Sequence, residues 1–250
     1  MLFRNRFRLQ AEFSRCESKL TMKRSQINDI IKQSDEFIRS FGFRLPQFAY
    51  WSPSEFRDRK GQIDGIIDAG LGWDITDYGT GDFDNLGLFL FTTRNGSQAD
   101  LAAGGGMCYA EKIMISRHDQ ISPMHRHLLK TEDIINRGGA TLAIEMFESD
   151  FEGNIDRNAK VNVACDGVMR SFAPGDVLKL LPGESVTLRP GNWHKFWGES
   201  GDVLIGEVSG VNDDNTDNIF EQPIGRFAKI EEDVDPLHLL VSDYPNHFLG

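Results

Sequence analysis

Two histidines one residue apart, with a carboxylate five positions after the second, mark the run Pro123-Met124-His125-Arg126-His127-Leu128-Leu129-Lys130-Thr131-Glu132. A further histidine, His194, stands in a later run, Pro190-Gly191-Asn192-Trp193-His194. Three imidazoles and one carboxylate are a ligand set for a divalent transition metal. Neutral imidazoles and one charged carboxylate would leave such an ion with net positive charge. An octahedral ion held by four donors would keep two open positions. These suit neighbouring oxygens of one substrate, a carbonyl and the hydroxyl beside it, with the ion as Lewis acid. Nitrogen and oxygen donors without thiolate allow manganese, iron, cobalt, nickel or zinc. The other three histidines, His118, His238 and His247, have no comparable setting and read as surface or structural residues.

The elements around these residues must bring them together. Alternate residues of a strand share a face, so His125 and His127 point the same way on one. Glu132 breaks that period, and a bulge or turn between Leu128 and Lys130 would return it to their side. Lys130 and Glu132 then share a face. Lys130 reads as a proton-transfer group beside the metal or as a solvated strand-edge lysine. Glu207 interrupts the apolar run Val203-Leu204-Ile205-Gly206-Glu207-Val208. It points either to solvent or into a barrel, where apolar walls would raise its pKa and make it a usable acid or base. Trp193 and Trp197 flank His194, as core packing or as a sugar-stacking face. Asp213, Asp214 and Asp217 cluster in a solvated loop or in a rim that binds polyhydroxy ligands, and Arg226 has the same two readings.

Apolar residues Ile27, Ile30, Ile31, Phe37, Ile38 and Phe41 recur at helical spacing, with Ser25 as N-cap and Gly42 as the stop. Residues 45–62 read as loop with a short helix from Ser54. Short strands follow at residues 86–93, ending at Asn95-Gly96, and at 109–115, 141–147, 161–168, 176–181, 185–189 and 203–209. Gly138-Gly139 reads as a turn. Many short strands at this spacing predict a sandwich or barrel, with the N-terminal helix packed outside. From residue 212 on, polar turns and short apolar pieces suggest a wrapping tail.

The chain has 250 residues, 40% of them hydrophobic, with 18 Phe and 25 Gly, which suits one turn-rich β domain with a real core. Residues 22–250 are expected to form that single domain. Residues 1–21 hold five basic residues against two acidic ones and no secretory apolar core. They read as a dispensable extension or an over-long start; an organellar targeting peptide is the other reading. Net charge is −11 with no basic patch, so nucleic acid is not an expected partner. No stretch approaches the roughly 20 apolar residues that cross a membrane. Cys16, Cys108 and Cys165 lack metal-type spacing and read as reduced thiols of a cytoplasmic protein.

The run from His125 through Glu132 to Gly139 has the form H-x-H-x4-E-x6-G. It resembles the first motif of the cupin family, although Asp119 stands where that motif opens on glycine. Pro190-Gly191-Asn192-Trp193-His194 resembles a shortened second motif. The resemblance implies an all-β core, a double-stranded β-helix or jelly-roll barrel. Within cupins, three runs are similar to the D-lyxose isomerases: His125-Arg126-His127 with Lys130 and Glu132; Arg189 through His194 to Glu199; and Gly206-Glu207-Val208-Ser209 followed by Asn212-Asp213-Asp214. The likeness covers about residues 22–235. It implies a manganese-dependent homodimer that interconverts D-lyxose and D-xylulose, and also D-mannose and D-fructose. By that likeness His125, His127, Glu132 and His194 are the metal ligands, with Lys130 and Glu207 in the active pocket. A cis-enediol route follows, with Glu207 as first choice of base and Lys130 as proton shuttle, roles that reversal would exchange. A hydride shift is the competing route. Two other classes stay open: a cupin dioxygenase using iron or nickel, and a non-catalytic sugar-binding cupin.

Overall fold

The computed structural model of the protein describes residues 21–214 and 216–248. The proposed N-terminal extension lies outside them, apart from Thr21. Two long strands organise the rest: β6 (Glu132–Ser149) and β12 (Trp193–Gly210). Before β6 come β1 (Met22–Lys23), helix α1 (Arg24–Ser40), α2 (Pro53–Asp58), α3 (Asp64–Asp68), β2 (Gly72–Thr76) and β3 (Leu88–Arg94). Next are α4 (Gln98–Ala102), β4 (Tyr109–Ser116) and β5 (Ser122–His127). Between the long strands lie β7 (Ile155–Asp156), β8 (Val161–Cys165), β9 (Val168–Phe172), β10 (Val177–Leu180) and β11 (Ser185–Leu188). After β12 come β13 (Asn218–Phe220), β14 (Ile230–Glu231) and α5 (Tyr244–Phe248).

Each long strand serves both walls of a barrel. The first half of β12 pairs with β5 and the second half of β6, and its second half pairs with β4 and the first half of β6. Strand β6 in turn pairs with β11 along its first half and with β10 along its second. The twelve-stranded sheet thus rolls over on itself at the middle of β6 and β12, which is the cupin barrel.

Glycines make the corner. Gly138 and Gly139, expected as a turn, lie inside β6 with φ of 154° and 95°, and Gly201 lies inside β12 with φ of 156°. A Cβ on Gly139 would meet the Asp202 carbonyl oxygen at 2.3 Å. Gly139→Ala is therefore expected to cost roughly 2–4 kcal/mol, from backbone strain plus overpacking, read as a lower urea midpoint.

Strand alternation sorts the apolar residues into two cores. Leu88, Leu90, Met114, Ile134, Ile144 and Ile205 fill the barrel interior. Their neighbours Phe89, Phe91, Ile113, Ile115 and Leu204 face out and pack under α1, against Ile27, Ile30, Ile31 and Ile38. Each of those isoleucines gains roughly 1.5–3 kcal/mol by leaving water. The helix ends as expected at Gly42, with φ of 77°. Its start differs from expectation. Ser25 is the second helical residue, not the cap, and Lys23 at the N-cap has no side-chain acceptor to offer. The carboxylate of Asp233 takes the Ser25 N–H at 2.9 Å instead. A distant residue supplies the cap, which local sequence does not reveal.

Candidate active site

The turn at residues 128–131 joins β5 to β6 and returns Glu132 to the face of His125 and His127, as the broken period required. On β12, His194 lies opposite both His125 of β5 and Met146 of β6, so it too faces the interior. The three histidines offer ring nitrogens within 4.8 Å of one another. Each Nδ1 meets a backbone carbonyl: His125 that of Pro123 at 2.8 Å, His127 that of Asp217 at 2.9 Å, and His194 that of Asn192 at 3.1 Å. A carbonyl only accepts, so Nδ1 carries the proton, and in the neutral ring each Nε2 keeps a bare lone pair. Glu132 Oε1 lies 3.3 Å from His127 Nε2 and 3.1 Å from His194 Nε2. It is buried without a hydrogen-bond donor. In the neutral rings three lone pairs converge with a carboxylate oxygen that has no hydrogen-bond donor, an arrangement that a cation would satisfy. This donor set fits a divalent ion. Burial and the neighbouring His194 and His127 hold the His125 pKa well below the usual imidazole range, which keeps it in the ligating form.

Lys130 and Glu207 meet beside this cluster. Lys130 Nζ donates to Glu207 Oε1 at 2.7 Å and lies 3.0 Å from Glu132 Oε2. Glu207 is 4% exposed, which settles the sequence ambiguity in favour of the inward reading. Its protonation contradicts expectation. Burial does push its pKa up, but Lys112 and Lys130 outweigh burial and hold it below the usual range. Burial likewise disfavours the Lys130 ammonium, yet Glu132, Glu207 and Asp214 outweigh that and keep it charged.

Lys112 escaped the sequence reading. It stands beside Glu111 at the head of the apolar stretch Ile113-Met114-Ile115 of β4, and it is the register partner of Glu207. Its Nζ lies 3.7 Å from Glu207 Oε1 and 3.4 Å from Asp214 Oδ1, and donates to Asn212 Oδ1 at 2.6 Å. Arg226 continues the file, 3.0 Å from Asp214 and 2.7 Å from Asp74. Acid and base thus alternate in one file from Glu132 to Asp74, and all but Asp74 line the cleft. The cleft is also lined by Phe196, Phe220 and Tyr78, whose hydroxyl is 3.1 Å from that of Ser122. Burial pushes the Tyr78 pKa up to about 12, so it stays a neutral phenol.

Other candidates part ways here. Asp214 and Arg226 line the cleft, while Asp217 is buried behind His127. Trp193 packs on Met124 and Phe147, with the Arg126 guanidinium 5.4 Å from its ring, and so takes the packing role. His238 stacks on Trp73 in the outer layer, and His118 is exposed.

Known proteins share this architecture. Six L-ribose isomerase structures of similar shape include that of Acinetobacter sp. DL28, with a TM-score of 0.58 at 10% identity. That alignment covers 85% of this chain and 99% of that one, and it speaks to the fold alone. Sequence likeness goes further. A D-lyxose/D-mannose isomerase of Serratia proteamaculans is 47% identical over 227 residues, 89% of this chain and 98% of the relative. One from Escherichia coli O157:H7 is 43% identical over 230 residues, with the same coverage. The family profile of D-lyxose isomerase matches residues 22–244. The chain therefore belongs to the D-lyxose isomerase family, and it is an aldose–ketose isomerase.

Proposed function

We propose that the protein interconverts D-lyxose with D-xylulose and D-mannose with D-fructose. In this reading His125, His127, Glu132 and His194 hold a manganese ion, and Glu207 and Lys130 move the protons. One observation carries it: the 2.7 Å contact of Lys130 Nζ with Glu207 lies directly beside the acceptor cluster. The names of the two relatives support the choice of sugars. Nitrogen and oxygen donors without thiolate admit manganese along with iron, cobalt, nickel and zinc, and the likeness to D-lyxose isomerases supports manganese among them.

A divalent ion held by these residues would supply Lewis-acid polarisation of the sugar's carbonyl. Glu207, kept ionised by two lysines, takes the C2 proton, exchanges it with solvent, and delivers a proton to C1, through a cis-enediol. Lys130 steadies negative charge on the enediol oxygens and hands a proton between them. The rings of Phe196, Phe220 and Tyr78 limit the water that reaches the carbon acid. Family membership leaves oxygenation by iron or nickel, and binding without catalysis, without support.

Anaerobic incubation of metal-loaded protein with pentoses and hexoses should give ketose from D-lyxose and D-mannose. Absence of ketose from both would overturn the assignment. In deuterated water, label should enter C1 of the product; complete retention of the C2 hydrogen would point to the hydride shift and release Glu207 from its role.

The same proposal includes a cytoplasmic homodimer whose residues 22–250 form one domain and whose residues 1–21 are dispensable. The family match beginning at residue 22 supports the last point. A chain starting at Met22 should keep its activity and scatter light as a particle of twice its own mass.

A further inference from the structure

We propose that Asp217 is a positioning residue that sets the metal-facing turn before any ion arrives; the inference rests on the metal reading above. The side chain is 2% exposed, within what the sequence presents as a polar loop. Its Oδ1 accepts the N–H groups of Leu128 and Leu129, each at 2.8 Å, and its Oδ2 accepts that of Lys130 at 3.1 Å. Three successive backbone donors close on one carboxylate, a nest filled from within the chain. The main-chain carbonyl of the same residue accepts His127 Nδ1 at 2.9 Å. One residue thus holds the turn that separates His127 from Glu132, and also selects which nitrogen of His127 stays bare.

The position of Asp217 is itself secured. Its N–H donates to the Asp213 carbonyl at 3.0 Å. The next residue begins β13, where Asn218 lies opposite His127 and Phe220 opposite His125. At the other end of the loop, Asn212 accepts from Lys130 Nζ at 3.2 Å. Among the described residues, no lysine or arginine lies in ion-pair range of Asp217, so the backbone donors balance its charge. A buried carboxylate with no lysine or arginine beside it and His127 Nδ1 3.9 Å away, holding the strand ends that bear the proposed metal ligands, is built for geometry rather than for surface solubility.

Asp217→Asn keeps the shape but turns an amide donor toward one of those backbone donors. Outer-shell partners of metal ligands are worth roughly 10–100-fold in affinity. Chelator-stripped wild type and D217N would be titrated with Co2+ and followed by d–d absorption, without sugar. The Co2+ Kd is expected to rise by roughly 10–100-fold in D217N, with the wild-type spectrum and most of kcat regained at saturating metal. An unchanged Kd, or a lower melting temperature with no change in Kd, would overturn the proposal. A measurement on the wild type guards against a variant that does not fold. In metal-free protein, the amides of Leu128, Leu129 and Lys130 should resist hydrogen exchange; free exchange would show that the turn is not preset. If wild type takes no Co2+ at all, the metal reading fails instead, and amide protection alone decides the role of Asp217.

Discussion

Glu207→Gln is expected to lower kcat by roughly 10²–10⁴-fold with metal content unchanged, the range for removal of a general base. Glutamine fills the same space and accepts from Lys130, so the packing of β12 survives while the proton acceptor is lost. Lys130→Met should fall comparably, since it strips the ammonium that faces both Glu132 and Glu207. If both variants turned over normally with metal bound, neither assignment would survive. The pH profile gives a second check. Glu207 works as a base only when ionised, so activity is lost as pH falls through its pKa. Lys112 and Lys130 hold that pKa below the usual carboxylate range. Lys112→Met removes one of these cations and leaves the metal-facing groups in place. The acid limb of kcat/KM should then move to higher pH, and an unmoved limb would mean that Lys112 does not act on Glu207.

Removal of the metal is expected to cost at least about 10³-fold in turnover, since Lewis-acid polarisation supplies several kcal/mol and each factor of ten is 1.36 kcal/mol. Added Mn2+ should restore it. His194→Ala should behave like stripped protein but resist rescue, because it removes one of three converging nitrogens and leaves Glu132 Oε1 with one imidazole fewer. Metal binding also favours the folded state: at a thousand times Kd the ion adds about 4 kcal/mol. The melting temperature of wild type should therefore climb with Mn2+ concentration and that of His194→Ala should not. Full activity after exhaustive chelation, checked by elemental analysis, would refute the metal-dependent mechanism.

The convergence of His125, His127, Glu132 and His194 was legible because they sit in short patterns: alternate histidines, a carboxylate after a turn, a histidine after Pro-Gly. Glu207 was only half legible, for a geometric reason. Counted from His194 it lies at an odd offset, which on a regular strand means the opposite face. In the structure, β12 takes six steps from Glu199 to Ile205 while its partner takes five from Thr141 to Asn136. That extra residue at the corner turns Glu207 inward, and nothing local to Glu207 announces it. Lys112, next to Glu111 at the head of an apolar stretch, carried no such signal and becomes meaningful only opposite Glu207. Asp217 was hidden more deeply, because its partners are backbone N–H groups some ninety positions earlier, and these leave no trace in residue type.

The odd residue at the corner of β12 has an evolutionary consequence. Glu207 and His194, the proposed base and a proposed metal ligand, share one continuous strand, so gaining or losing a single residue between Gly198 and Val203 would swing the Glu207 carboxylate out of the barrel while every motif letter stayed in place. Descendants of this chain can vary the corner by substitution, or by paired length changes in both long strands, but not by a lone insertion. A homologue with such a lone indel would keep the motifs and have lost the trade.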